Sequence, residues 1–185
     1  MEIMKKEDMF RGILPGPKVV TLVTSGKDED ANILAVSYTG QFSSYLVYIG
    51  IRPERYSNEL IRRHGEFGVN YIISRFAKQA DYCGIFSGKN HDKFKATKFT
   101  KEICESGLPL IAESPLSLEC HVERIFREGQ HDIFIGSLKE ARKRSNEDDW
   151  LFHYGLDYFC RKGVIGRMYE IGKGLINCNN PGFIP

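Results

Sequence analysis

Hydrophobic positions in the first half of the chain fall in short, β-branched runs separated by turn residues, not in long stretches at helical spacing. Lys18 to Thr24 (KVVTLVT) and Ile33 to Thr39 (ILAVSYT) flank the turn-rich SGKDEDAN and predict a hairpin. Tyr45 to Ile51 (YLVYIGI) is a third run, too apolar for a solvated face, and it stops at Arg52-Pro53, where proline cannot continue ladder pairing. Ser57 to His64 (SNELIRRH) predicts a short helix capped by Ser57 or Asn58, with Leu60 and Ile61 turned inward. Glu66 to Ile73 (EFGVNYII) returns to strand spacing, and Phe76 to Tyr82 (FAKQADY) predicts a second helix.

From His91 to Pro115 the chain is polar and irregular, which predicts a long excursion. Leu118 to Phe126 (LECHVERIF) then alternates, with Leu118, Cys120 and Val122 on one face, and His131 to Leu138 (HDIFIGSL) predicts its hairpin partner across REGQ. The charged run KEARKRSNEDD reads as a solvated turn or face. Several short strands with brief helices predict a mainly β fold, a small antiparallel barrel and not a parallel sheet. No linker composition precedes Gly172, so the reading is one domain over residues 1–172 and a Gly/Asn/Pro-rich tail over 173–185.

Composition narrows the function classes. With 185 residues, 42% apolar and 27% charged, the chain is long enough for one real core and is neither low-complexity nor disordered. A net charge of +2, from 26 Lys+Arg against 24 Asp+Glu, gives no electrostatic case for nucleic acid or an anionic membrane, so a charged ligand must meet a local site. No run approaches the roughly 18 apolar residues of a spanning helix, and MEIMKKEDMFRG lacks a signal-peptide core, which predicts a cytoplasmic location. The five cysteines include no CxxC pair and read as reduced, buried small hydrophobes. No two of the five histidines stand four residues apart, and no metal site is predicted. Rossmann, P-loop, GxSxG and HExxH signatures are absent.

Three segments carry candidate chemistry. Arg52-Pro-Glu-Arg-Tyr-Ser-Asn58 sits where a strand ends and a helix starts, and it concentrates the donors a phosphate needs, though an ordinary capped helix with surface arginines has the same composition. Asp81 to Phe94 (DYCGIFSGKNHDKF) combines glycines that allow close backbone approach with Ser87, Lys93 and aromatic surface. In ILAVSYTG, Ser37 and Thr39 are two apart and are expected on one sheet face, beside Ala35 and Val36. There they either meet a planar heterocycle or fill a solvated strand.

The order of these segments resembles the flavin reductase-like family of FMN-binding split barrels, in particular its flavoredoxin-type members, over roughly residues 12 to 166. The motifs that carry the likeness are D-x-C-G-x-x-S-G with D-K-F (Asp81, Cys83, Gly84, Ser87, Gly88, Asp92, Lys93, Phe94), R-x-x-R-Y-S (Arg52, Arg55, Tyr56, Ser57) and G-x-H (Gly129, His131). Tyr154 to Gly166 is similar to the family's closing strand. The resemblance implies a homodimer of six-stranded antiparallel Greek-key split barrels with one FMN per subunit. It implies that Ala35, Val36, Ser37 and Thr39 face the flavin ring and that Arg52, Tyr56, Ser57 and Asn58 hold its phosphate. Cys83, Gly84, Ser87, Gly88 and Lys93 then close the site, and His131 stands close to the ring or an incoming nicotinamide. Many members have Ser-Trp where this chain has Ser37-Tyr38, and its sole tryptophan, Trp150, lies elsewhere.

Three functions follow from this reading. The first is an NAD(P)H-dependent oxidoreductase passing electrons through FMN to a free flavin, a ferric complex or a protein. The second is an electron-transfer flavoprotein reduced by a protein donor, with no nicotinamide site. The third is a flavin-free small-barrel binding module, against which the near-zero net charge argues if its ligand is an oligonucleotide.

Overall fold

The strand-rich first half folds as the apolar runs require. This computed structural model describes residues 17–146, 149–154, 157–160 and 163–167. The tail over 173–185, Cys178 and the first sixteen residues lie outside the described residues, as does part of the segment from Tyr154 to Gly166. In chain order the elements are β1 (Lys18–Val19), β2 (Thr21–Ser25), β3 (Asn32–Val36), β4 (Thr39–Gln41) and β5 (Leu46–Ile51). Then come α1 (Tyr56–His64), β6 (Glu66–Tyr71), α2 (Ala77–Ile85), α3 (Lys93–Thr97), β7 (Lys101–Ile103) and β8 (Pro109–Ile111). The chain continues with β9 (Leu116–Glu128), β10 (His131–Lys143), β11 (Phe152–Tyr154), β12 (Asp157–Cys160) and β13 (Gly163–Arg167). None of the described helices is long and apolar enough to cross a membrane.

The main sheet runs β3-β2-β6-β9-β10-β5-β4, with every pair antiparallel. Its two ends, β3 and β4, are arms of one segment bent at Ser37 and Tyr38, and the Gly50 amide donates to the Tyr38 carbonyl at 2.7 Å. Counting β3 and β4 as one bent strand gives six strands curled into a half-barrel. The bend corrects the expected continuous strand from Ile33 to Thr39. Its first arm pairs with β2 and its second with β5, so the chain turns between them, with Ser37 in the bend outside either strand and Thr39 opening the second arm.

Alternation feeds two cores from the same strands, which is why the runs look apolar throughout. Val23, Leu34, Ile49, Phe67 and Phe134 fill the barrel interior. On the other face Leu22, Ile33 and Ile72 pack against Ala80, Cys83 and Phe94 from α2 and α3 and against Leu151 and Tyr158. Each fully buried aliphatic or aromatic side chain stabilises by roughly 1.5–3 kcal/mol. Leu118, Cys120 and Val122 share the interior face, as their spacing predicts.

The expected strand Lys18 to Thr24 divides around Val20. Its first residues pair with β11 in a second sheet, β1-β11-β12-β13, while Thr21 onward pairs with β3. The stretch from His91 to Pro115, expected to be irregular, contains α3 and the β7-β8 hairpin. The charged run after Leu138 continues β10 to Lys143 and does not break it. Arg142 bonds Glu140 and Glu102, and Arg144 bonds Glu102, so the charges are partnered on the sheet surface.

Helix α1 buries Leu60 and Ile61 and ends where Gly65 takes φ +71 and donates its amide to Ile61. A residue with Cβ would be strained at that φ. Its N-cap is Arg55, without a side-chain cap bond, and not the expected Ser57 or Asn58. Both of those side chains are committed to distant partners instead. The Asn58 amide donates to Ile51 and to the carboxylate of Asp132, which also accepts from Arg62 and Arg127. Asp132 is buried; burial alone would raise its pKa, and the bonds from Arg127, Arg62 and Asn58 outweigh it and hold the carboxyl well below the usual range. This cluster ties α1 to the barrel wall.

Candidate functional site

Proline at position 53 ends β5, and the chain turns at once: the Arg55 amide donates to the Arg52 carbonyl at 3.1 Å, and the Arg55 carbonyl accepts from Asn58 at 2.9 Å. Helix α1 therefore begins with its first turn facing the segment after α2. The earliest amides of a helix have no intrahelical acceptor and carry partial positive charge, so this end favours an anion. The cavity there, about 150 Å³, is lined by Asn32, Leu34, Glu54, Arg55, Tyr56, Ser57, Phe86, Ser87, Gly88 and Lys93.

Two side chains supply directed donors to this cavity. Ser57 Oγ accepts from Asn32 Nδ2 at 2.8 Å, which leaves its own hydrogen free to donate. Lys93 Nζ donates to the carbonyls of Ile33 (2.6 Å) and Cys83 (2.9 Å), leaving one of its three N–H bonds for a ligand. Lys93 is only 2% exposed, and burial pushes its pKa down to about 8, with the Arg55 charge acting in the same direction.

A second cavity, about 80 Å³, is lined by Val20, Ala35, Val36, Ser37, Arg55, Gly84, His153 and Tyr158. Arg55 lines both cavities and donates from Nη1 to the Gly84 carbonyl at 3.4 Å, so its guanidinium stands on the divide. One wall of the second cavity is the edge strand β3, which pairs with β2 on one side only. Main-chain groups on its open side are available to the rim of a flat polar ring. His153 and Tyr158 are cross-strand neighbours on the second sheet, and the Tyr158 hydroxyl donates to Asp81 at 3.1 Å.

Of the residues expected in the site, Ala35, Val36, Ser37, Tyr56, Ser57, Gly84, Ser87, Gly88 and Lys93 line one cavity or the other. Thr39, Arg52, Asn58, Cys83 and His131 line neither. Thr39 bonds Thr21 through their hydroxyls beyond the bend. Arg52 is half exposed and lies 3.9 Å from Glu54, while Arg55, three residues on, takes the place between the cavities. Asn58 is spent on Asp132. The Cys83 thiol belongs to the core, where burial pushes its pKa up to about 12, and only its carbonyl reaches Lys93. His131 opens β10 and packs on Tyr38 with ring centroids 4.8 Å apart. Burial and then the Arg52 charge lower its pKa, with Glu54 opposing.

Asn32, His153 and Tyr158 were not singled out from sequence, and Arg55 was named as a motif residue but given no place in the site. Arg55 had a signal, its place in R-x-x-R-Y-S. Asn32 read only as a turn residue, and the β11-β12 pair comes from the far end of the chain.

A hydroxyl, an ammonium and a helix start converge on the first cavity and suit an oxyanion, and the open edge of β3 offers main-chain groups to a flat ring. Neither space approaches the roughly 300–1,000 Å³ of sites that enclose a ligand of that size. A molecule carrying both groups must cross Arg55 and leave part of itself outside. A curled antiparallel split barrel with two small cavities divided by Arg55 defines the class of protein. Residues 15–160 match the family model described as the flavin reductase like domain, and the chain belongs to that family of oxidoreductases.

Among its relatives, an NADH-dependent FAD reductase of Streptomyces globisporus is 29% identical over 141 residues, covering 75% of this chain and 77% of the relative. An NADH-dependent FMN reductase of Streptomyces nodosus subsp. asukaensis is 25% identical over 145 residues, covering 77% of each. The solved structure of a flavoredoxin from Methanosarcina acetivorans superposes with a TM-score of 0.77 at 25% identity, covering 95% of this chain and all of that one.

Proposed function

We propose that the chain binds FMN across the Arg55 divide and passes electrons through it from NAD(P)H to a flavin, a ferric complex or a protein acceptor, working in the cytoplasm as a homodimer. The observation that carries this reading is the pairing of a convergent donor set at Ser57 and Lys93 with an edge strand one arginine away. Bound FMN supplies the redox chemistry, accepting electrons at its ring. The protein's residues do the rest. Ser57, Lys93 and the first turn of α1 hold the phosphate, and Arg55 spans to the second cavity. Ser37 with the backbone of β3 donates to the ring's polar rim, which steadies charge that grows there on reduction.

His131, outside both cavities on the outer barrel face, serves an incoming nicotinamide. The same outer surface exposes Tyr38, Phe42, Tyr45 and Phe126, apolar area of the kind that marks an interface. A second copy seated there would also cover whatever part of the ring the small cavities leave outside. Likeness to a flavoredoxin supports a second reading, a carrier reduced by a protein donor with no nicotinamide step. Anaerobic mixing of the FMN-loaded protein with NADH and with NADPH separates the two: prompt bleaching supports the reductase, and bleaching only with a reduced protein donor supports the carrier. A purified protein that takes up no FMN overturns both.

A further inference from the structure

Asn32 opens β3 on the floor of the first cavity and is 3% exposed. Its Nδ2 donates to Ser57 Oγ at 2.8 Å, a buried bond between residues 25 apart in sequence. Its Oδ1 is buried without a hydrogen-bond partner. A hydroxyl that must accept from an amide has its own hydrogen turned away from that amide, and the remaining direction here is the cavity. We infer that Asn32 is a positioning residue for anion binding: by occupying the acceptor side of Ser57 it makes that hydroxyl a committed donor to the ligand's phosphate. This rests on the reading of the first cavity as the phosphate site.

Gly88 fits the same logic. A Cβ built there would lie 2.1 Å from Asn32 Oδ1 and 2.5 Å from its Cγ, so any larger residue pushes the amide off its place beside Ser57. Glycine at 88 is needed less to reach the ligand than to leave room for the amide that aims Ser57.

The test uses flavin fluorescence to measure dissociation of FMN and of riboflavin, which lacks the phosphate, from wild type, Asn32→Ala, Asn32→Asp, Ser57→Ala and the Asn32→Ala/Ser57→Ala double variant. Losing one hydrogen bond to a charged group is expected to weaken FMN by about tenfold in Asn32→Ala and in Ser57→Ala. Riboflavin affinity stays within about twofold in both, a split that general damage to the fold would not give. The double variant is no weaker toward FMN than the worse single one, because Asn32 acts through Ser57. Asn32→Asp, nearly the same shape, can only accept from Ser57 and loses more FMN affinity than Asn32→Ala. Equal losses for FMN and riboflavin in either Asn32 variant, or single effects that multiply in the double variant, overturn the positioning role. If Ser57→Ala leaves the ratio of FMN to riboflavin affinity unchanged, the phosphate site itself is wrong, whatever Asn32 does.

Discussion

The ammonium of Lys93 lies 2.6 Å from the carbonyl oxygen of Ile33, inside the chain and not at its surface. That bond fastens α3 to the edge strand of the barrel and holds a cation at the wall of the first cavity. With burial setting its pKa to about 8, the charge that meets an anion titrates in an accessible range.

FMN affinity is therefore expected to fall above pH 8, approaching tenfold per pH unit until the higher pKa of the liganded lysine is reached. Riboflavin affinity stays flat over the same range, and Lys93→Met removes the slope for FMN. Without ligand the sign reverses. The unfolded chain holds the proton more tightly, so Lys93 costs stability below about pH 8, and the cost is relieved as pH rises from there toward the ordinary 10.5. Titrations of both flavins from pH 6 to 10, with urea unfolding of the ligand-free protein at the same points, check both signs.

Asp132 anchors α1 to β10 through Asn58, Arg62 and Arg127. Removing it leaves the buried Asn58 amide without its carboxylate and frees two half-exposed arginines to solvent, so Asp132→Ala is expected to cost about 1–3 kcal/mol of folding stability. Its carboxyl is held below the usual range, so its contribution is present above about pH 4 and lost as pH falls through the folded value. Urea unfolding at pH 7 and pH 3 should show a smaller difference in the variant than in wild type.

Cys83, Cys104 and Cys120 are buried with thiols pushed up to about 12. They are expected to resist alkylation in the folded protein at pH 8, and Cys83→Ala should retain FMN affinity within about threefold, since only the backbone of residue 83 meets Lys93. Mass spectrometry after brief iodoacetamide treatment checks the first point. Rapid labelling of Cys83 would contradict its place in the core.

Phe42 and Tyr45 are about three-fifths exposed on the outer face. If a second copy covers them, Phe42→Asp with Tyr45→Asp should turn a dimer into a monomer in sedimentation and weaken FMN retention, because the ring loses its cover. A wild-type monomer at micromolar concentration would contradict the dimer.

Strand runs and the two long helices were legible because apolar spacing and breakers report local structure directly. The bend at Ser37 and Tyr38 was not: it arises from closing the sheet, which no local pattern encodes. The same holds for the site. Ser57, Gly88 and Lys93 stand out as polar or glycine residues beside aromatics. Asn58 and Arg52 have the same chemistry, and only packing reveals that Asp132 claims one while Arg55 displaces the other. Asn32 meets Ser57 from 25 residues away, and His153 is brought to the cleft by pairing with β1 at the far end of the chain, contacts that composition and spacing do not carry. The β7-β8 hairpin was missed because its strands have three residues each, too few for a period to show.

The most direct measurement is a crystal structure of the protein grown with excess FMN. The account predicts the phosphate within hydrogen-bond reach of Ser57 Oγ and Lys93 Nζ, the chain crossing beside Arg55, and the ring along the open edge of β3 at Ser37. FMN bound elsewhere, or a phosphate placed on Arg52 with the Ser57 cavity empty, would contradict it.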